Sequence, residues 1–145
     1  MMKSSCCVKC VRQMTNYLGS YNEDTSWRKH RLRSELRTLR SDPPEGIQAA
    51  PLNLDLTHWQ AYLTGPEGSA YEGGVFFLYI QIPVNYPMSP PLVKFLTRIF
   101  HPNISRHGDI GIDSIHSNWS LALTISKVLI SIQSLLTDPV CDVST

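Results

Sequence analysis

The chain has 145 residues with 42% hydrophobic side chains, a size and composition suited to one compact domain. A formal net charge of +1 gives no global attraction to nucleic acid or to an anionic membrane surface. No run of about 18 apolar residues is present to cross a membrane, and the start lacks the apolar stretch and small-residue cleavage site of a secretory signal. The expected location is cytoplasmic or nuclear.

Residues 1–25 are polar and aperiodic, which predicts a flexible extension ahead of a domain spanning 26–145. The extension carries Cys6, Cys7 and Cys10. Three thiols are one short of a four-ligand zinc site, and His30 lies beyond a polar segment. A cysteine pair beside Lys3 and Lys9 also fits S-acylation, a weak pattern. Reduced thiols in a tail, with no metal and no cofactor, are the expectation.

A helix is predicted from about Ser26, a candidate cap, to Arg40. Leu32, Leu36 and Leu39 recur on one face, while Arg28, Lys29, Arg31, Arg33, Arg37 and Arg40 cover much of the rest. Asp42-Pro43-Pro44 stops it, because proline cannot continue the hydrogen-bond ladder. Four strands follow, at 47–53, 58–64, 75–82 and 92–97. In the third, Phe76, Leu78, Ile80 and Ile82 alternate with Val75, Phe77, Tyr79 and Gln81 and give one wholly apolar face. Short connections predict an antiparallel meander. Residues 98–122 have no period and read as an irregular surface segment, a kind of stretch that is often functional. A second helix is predicted over 124–137, with Ile125, Val128, Leu129, Ile132, Leu135 and Leu136 as its buried stripe.

The irregular segment contains His101-Pro102-Asn103-Ile104-Ser105-Arg106-His107-Gly108-Asp109-Ile110-Gly111. This stretch closely resembles the active-site region of ubiquitin-conjugating enzymes. Further blocks fall in the same order as in that family: Arg33-Ser34-Glu35-Leu36, Ser41-Asp42-Pro43-Pro44, His58-Trp59-Gln60, Gly65-Pro66, Tyr71-Glu72-Gly73-Gly74-Val75-Phe76, Tyr86-Pro87, Pro90-Pro91, Trp119-Ser120 and Leu123-Thr124-Ile125-Ser126-Lys127-Val128. Together they span about residues 27–139. The resemblance implies an α+β fold of the ubiquitin-conjugating type, with an N-terminal helix, a four-stranded antiparallel meander and a central helix. It also implies that the chain ends where the family continues into two C-terminal helices, which predicts exposed apolar area near Leu135 and Leu136.

The family carries, eight residues after the Asn of His-Pro-Asn, a cysteine that holds ubiquitin as a thioester. Here that position is Gly111, which has no side chain to attack with. By resemblance Asn103 is the oxyanion-steadying amide. With no acyl group to assist, Asn103 and His101 are expected only to brace the loop. Cys141 as a replacement nucleophile has Asp138 and Asp142 close in sequence, and two acids disfavour the attacking thiolate. Leu121 stands where the family commonly has Pro, and Val143 where active relatives carry Asp. Asp113 is kept, and fits a cap of the local turn.

The resemblance further implies a ligase-docking patch made of Arg31, Met88, Leu121 and Ala122, and a first helix whose basic face meets the activating enzyme. A merely solvated basic face is the alternative. The favoured functional reading is a non-catalytic relative that binds a RING-type ligase or ubiquitin itself. A rival is an active ubiquitin-protein transferase in which Gly111 is a variant, and a third is a degraded relative with no pathway role.

Overall fold

In the computed structural model, which describes residues 23–111 and 118–139, the chain runs α1 (Glu23–Ser41), β1 (Ile47–Pro51), β2 (His58–Thr64), β3 (Val75–Gln81), β4 (Leu92–Phe95) and α2 (Ile125–Thr137). The strands form one sheet in the order β1-β2-β3-β4, every neighbour antiparallel. The register sets Trp59 opposite Ile80, Ala61 opposite Leu78, and Leu78 opposite Phe95. Alternation therefore stacks these residues on one face. They are buried in one core with Ile47, Leu63 and Val93 and with the predicted stripe of α2.

The expected meander and two helices are present, with shifted ends. The first helix begins at Glu23, so Ser26 lies within it and residues 23–25 belong to the helix rather than to the extension. The first strand ends at Pro51. The fourth ends at Phe95 because Leu96 and Thr97 both donate their N–H to Phe77 O, at 2.8 and 3.3 Å, which breaks the regular ladder. Thr124 is the cap of α2: its side chain accepts from Lys127 N at 3.3 Å. Cys6, Cys7, Cys10, Asp113, Cys141 and Val143 lie outside the described residues, as does most of the extension. No described helix is long and apolar enough to cross a membrane.

The first helix buries a stripe that is half polar. Arg28, Leu32, Glu35 and Leu39 are all buried, whereas Leu36 is only partly so. Arg28 donates through Nη1 to Pro83 O at 3.2 Å, so it does not belong to a solvated basic face. Lys29 pairs with Asp55 at 3.1 Å. Glu35 joins three parts of the chain. Its Oε1 accepts from Arg31 Nε at 3.0 Å and from the Tyr86 hydroxyl at 2.6 Å, and its Oε2 accepts from Ile125 N at 2.9 Å. A carboxylate at a helix N-terminus satisfies an N–H that the helix itself leaves without a partner.

Leu135 and Leu136 are 7% and 2% exposed, which overturns the expectation of open apolar area at that end of α2. The segment after β4 reaches this end of α2, where His101 bonds to Leu135 O, and its Ile104 and Ile110 are buried in the same core. That segment is thus not wholly a surface one.

Replacing Glu35 with Ala removes the partner of the Tyr86 hydroxyl, the Ile125 N–H and the Arg31 Nε–H together. Removing one partner of a buried charge network costs about 3–5 kcal/mol, a large share of a typical stability of about 5–15 kcal/mol. Chemical denaturation of Glu35→Ala is expected to show a loss on that scale, and Glu35→Gln, which keeps an acceptor oxygen, a smaller one.

Candidate functional site

The segment from His101 to Gly111 is held by its own backbone and by one histidine. Isolated bridges join His101 to Ile104 and Ile104 to Ile110. The buried His101 ring lies between Leu135 O, 2.8 Å from Nε2, and Asn103 N, 3.0 Å from Nδ1. A carbonyl only accepts and an amide N–H only donates, so the ring is neutral with its proton on Nε2. This arrangement anchors Asn103, whose carbonyl oxygen accepts the Gly111 N–H at 2.7 Å. Tyr71 packs against the His101 ring with centroids 5.8 Å apart and donates its hydroxyl to Phe100 O.

Gly111 is exposed, and its φ lies outside the left-handed region that favours glycine. Among the described residues, a Cβ built there meets only Asn103 O, at 3.4 Å, an ordinary van der Waals distance. The backbone at 111 therefore has room for a side chain that the sequence does not supply. All four cysteines fall outside the described residues.

The four residues of the expected docking patch divide into two roles. Met88 is 73% exposed and Leu121 55%, and Ala122 is exposed beside it. Arg31 is partly buried and works underneath them: its Nη2 donates to Leu121 O at 2.7 Å and to Leu123 O at 2.8 Å. It also lies over the Tyr86 ring, 5.9 Å from the centroid. Trp119 completes the support by donating Nε1–H to Pro87 O at 2.8 Å, with its ring 5.9 Å from that of Tyr86. The two loops that present Met88 and Leu121 are so tied to α1 and to each other.

A family model described as ubiquitin-conjugating enzyme matches residues 31–144. The chain belongs to the ubiquitin-conjugating enzyme family. Among solved structures, that of human ubiquitin-conjugating enzyme E2 G1 is 37% identical over 77% of this chain and 95% of that one, with a TM-score of 0.72. The fold expected from the resemblance is the one observed, and the match includes the segment that carries His101, Asn103 and Gly111.

Two supporting residues of this family member, Glu35 and Tyr86, carry no role expected from the sequence, and Arg28 is expected there only as part of a basic helix face. For Glu35 a signal was present. It stands three residues after Leu32 and four before Leu39, on the face those leucines define, so a carboxylate there must be buried and partnered. Among the described residues no group of His, Cys, Asp and Glu could hold a metal ion, while the cysteine-rich start lies beyond them.

Tyr86 offers a test of this support. Burial first, then the adjacent Glu35 carboxylate, push its hydroxyl above the ordinary value of 10.0. In the unfolded chain the phenol ionises near that ordinary value, while the folded state keeps its proton. The stabilisation is therefore complete below about pH 10 and is lost as pH rises beyond it. Denaturant midpoints measured from about pH 8 to about pH 11 are expected to fall at the alkaline end, and to fall less steeply in Tyr86→Phe.

Proposed function

We propose that this member of the ubiquitin-conjugating enzyme family is catalytically silent at the usual position and serves the ubiquitin pathway as a binding or regulatory partner, docking a RING-type ligase or ubiquitin. The single observation behind the proposal is Gly111. Thioester chemistry needs a nucleophilic sulfur, and position 111 offers only a hydrogen. The surrounding frame is nonetheless intact, and Met88 and Leu121 stand exposed on braced loops. A scaffold needs that surface and not the sulfur.

The rival, an active transferase in which Gly111 is a variant, draws its support from the ordinary 3.4 Å contact that a Cβ at that residue would make with Asn103 O. One experiment separates the two. Given activating enzyme, ATP and ubiquitin, the wild-type chain is expected to form no adduct that a thiol reductant releases. Gly111→Cys is expected to form one, since among the described residues the atom nearest the added Cβ is Asn103 O, at an ordinary 3.4 Å. A reducible adduct on the wild type contradicts the silent reading, and its disappearance in Cys141→Ser would name the thiol responsible.

The docking half of the proposal has its own test. Met88 is exposed, so Met88→Ala is expected to leave the melting temperature unchanged while weakening a RING domain's affinity tens-fold, the scale of a hot-spot loss of about 2 kcal/mol or more. Arg31→Ala is expected to lower both, because the 121–123 backbone loses its anchor. Undiminished binding by both variants, measured by titration calorimetry, removes the docking patch as described.

A further inference from the structure

The loop after β4 and the turn from Ser105 to Gly108 enclose an open cavity of about 270 Å3, separate from the docking patch. Arg98, Arg106 and His107 line it, together with Thr97 and Leu96. Neither guanidinium forms an ion pair or hydrogen bond with another described residue; the ion pairs there are Lys29 with Asp55, Arg31 with Glu35, and Lys94 with Asp109. Among the described residues no carboxylate lines the cavity, and between Glu72 and Asp109 the sequence holds no acid at all. Asp109, the nearest acid along the chain, is occupied by Lys94 Nζ at 3.4 Å and by the Ser105 hydroxyl at 3.4 Å.

The cavity is built from fixed backbone. Gly108 has φ +88°, and a Cβ on it would stand 2.1 Å from Phe95 O, so only glycine permits the contact. Phe95 N–H donates to Gly108 O at 2.9 Å, and Gly108 N–H to Ser105 O at 3.0 Å. Ser105 Oγ accepts from His107 N at 3.2 Å and from Asp109 N at 3.1 Å. On the other wall, Thr97 Oγ1 accepts from Phe77 N at 2.8 Å, leaving its own O–H to donate elsewhere. Two unpaired guanidiniums, an imidazole and a hydroxyl are thus carried on walls that do not need to reorganise before binding.

We propose that this cavity binds a phosphoryl group borne on a serine or threonine of a partner polypeptide. Guanidinium forks match the oxygens of a phosphate monoester and hold its charge through short, charge-assisted hydrogen bonds. A net charge of +1 is too small for a nucleic-acid track. The apolar neighbours suit a peptide: Leu96 in the lining is 58% exposed, and Phe100, one residue past the lining's Ile99, is 90% exposed. Gly111 follows Gly108 by three residues, so a phosphopeptide seated here is held next to the family's reaction position. The proposal stands whether or not the chain is catalytic.

The test titrates the full chain with a pool of phosphoserine peptides having randomised flanks, the same pool without phosphate, inorganic phosphate, and a single-stranded DNA oligonucleotide. Saturable binding is expected for the phosphorylated pool, at least about tenfold tighter than for inorganic phosphate, with amide shifts at residues 97–99 and 105–108. Arg98→Ala and Arg106→Ala are each expected to weaken it about tenfold, while Arg37→Ala, which removes an exposed cation on α1, is expected to change nothing. Melting curves identify any variant that fails to fold, and Arg98→Lys, which keeps the charge without the fork, should fall between. Unchanged affinity in the folded double variant, equal binding of the unphosphorylated pool, equal affinity for free phosphate, or tighter binding of the oligonucleotide each overturns the proposal.

Discussion

A single buried carboxylate, that of Glu35, sets how the parts of this domain meet. Its acceptor oxygens bind Arg31 on its own helix, the Tyr86 hydroxyl on the loop before the double proline, and the first N–H of α2. A charge in the interior is tolerable only when fully partnered, so these three contacts fix one another. Arg31, oriented by that carboxylate, then reaches the carbonyls of Leu121 and Leu123. The far end of the same α2 presents Leu135 O to His101, and His101 positions Asn103. The Met88 and Leu121 loops are therefore braced on α1 and the 101–111 segment on α2, and Glu35 joins the two helices.

The sheet was legible because each of its strands has one buried face, and alternation reports that directly. Trp59, Ala61 and Leu63 point inward as their spacing requires, and so do Leu78 and Ile80. The buried stripe of α2 was legible for the same reason at helical spacing. The first helix was harder, since two of its four buried stripe positions are Arg28 and Glu35 and a hydrophobicity pattern counts both as solvent-facing. The end of α2 differs from expectation for another reason: nothing in the periodicity of residues 98–122 announces that Ile104 and Ile110 are buried in the core and that His101 bonds to Leu135 O. Cover supplied by an irregular segment becomes visible only when the tertiary contacts are known.

The candidate site divides along the same line. Motif spacing located His101, Asn103 and Gly111, and the exposed Met88 and Leu121, because those identities are written in order along the chain. The part played by Arg31 was not legible. An arginine at a surface patch and an arginine beneath one are the same letter, and only the distances to the Leu121 and Leu123 carbonyls distinguish a contact residue from a brace.

The persistence of the frame around Gly111 has a plain physical source. The segment is kept in place by the Gly111 N–H on Asn103 O, the bridges at Ile104, the His101 ring and the buried Ile104 and Ile110. None of these draws on a side chain at position 111, where a Cβ would stand 3.4 Å from Asn103 O. Folding therefore places no demand on the sulfur, and catalysis places a complete one. Fold and chemistry can separate at a single residue placed in this way. For the same reason stability measurements cannot report on activity at this position, because an intact domain is equally consistent with a glycine or a cysteine there. The braced Met88 and Leu121 loops and the arginine-lined cavity are likewise held by contacts that draw on no side chain at position 111.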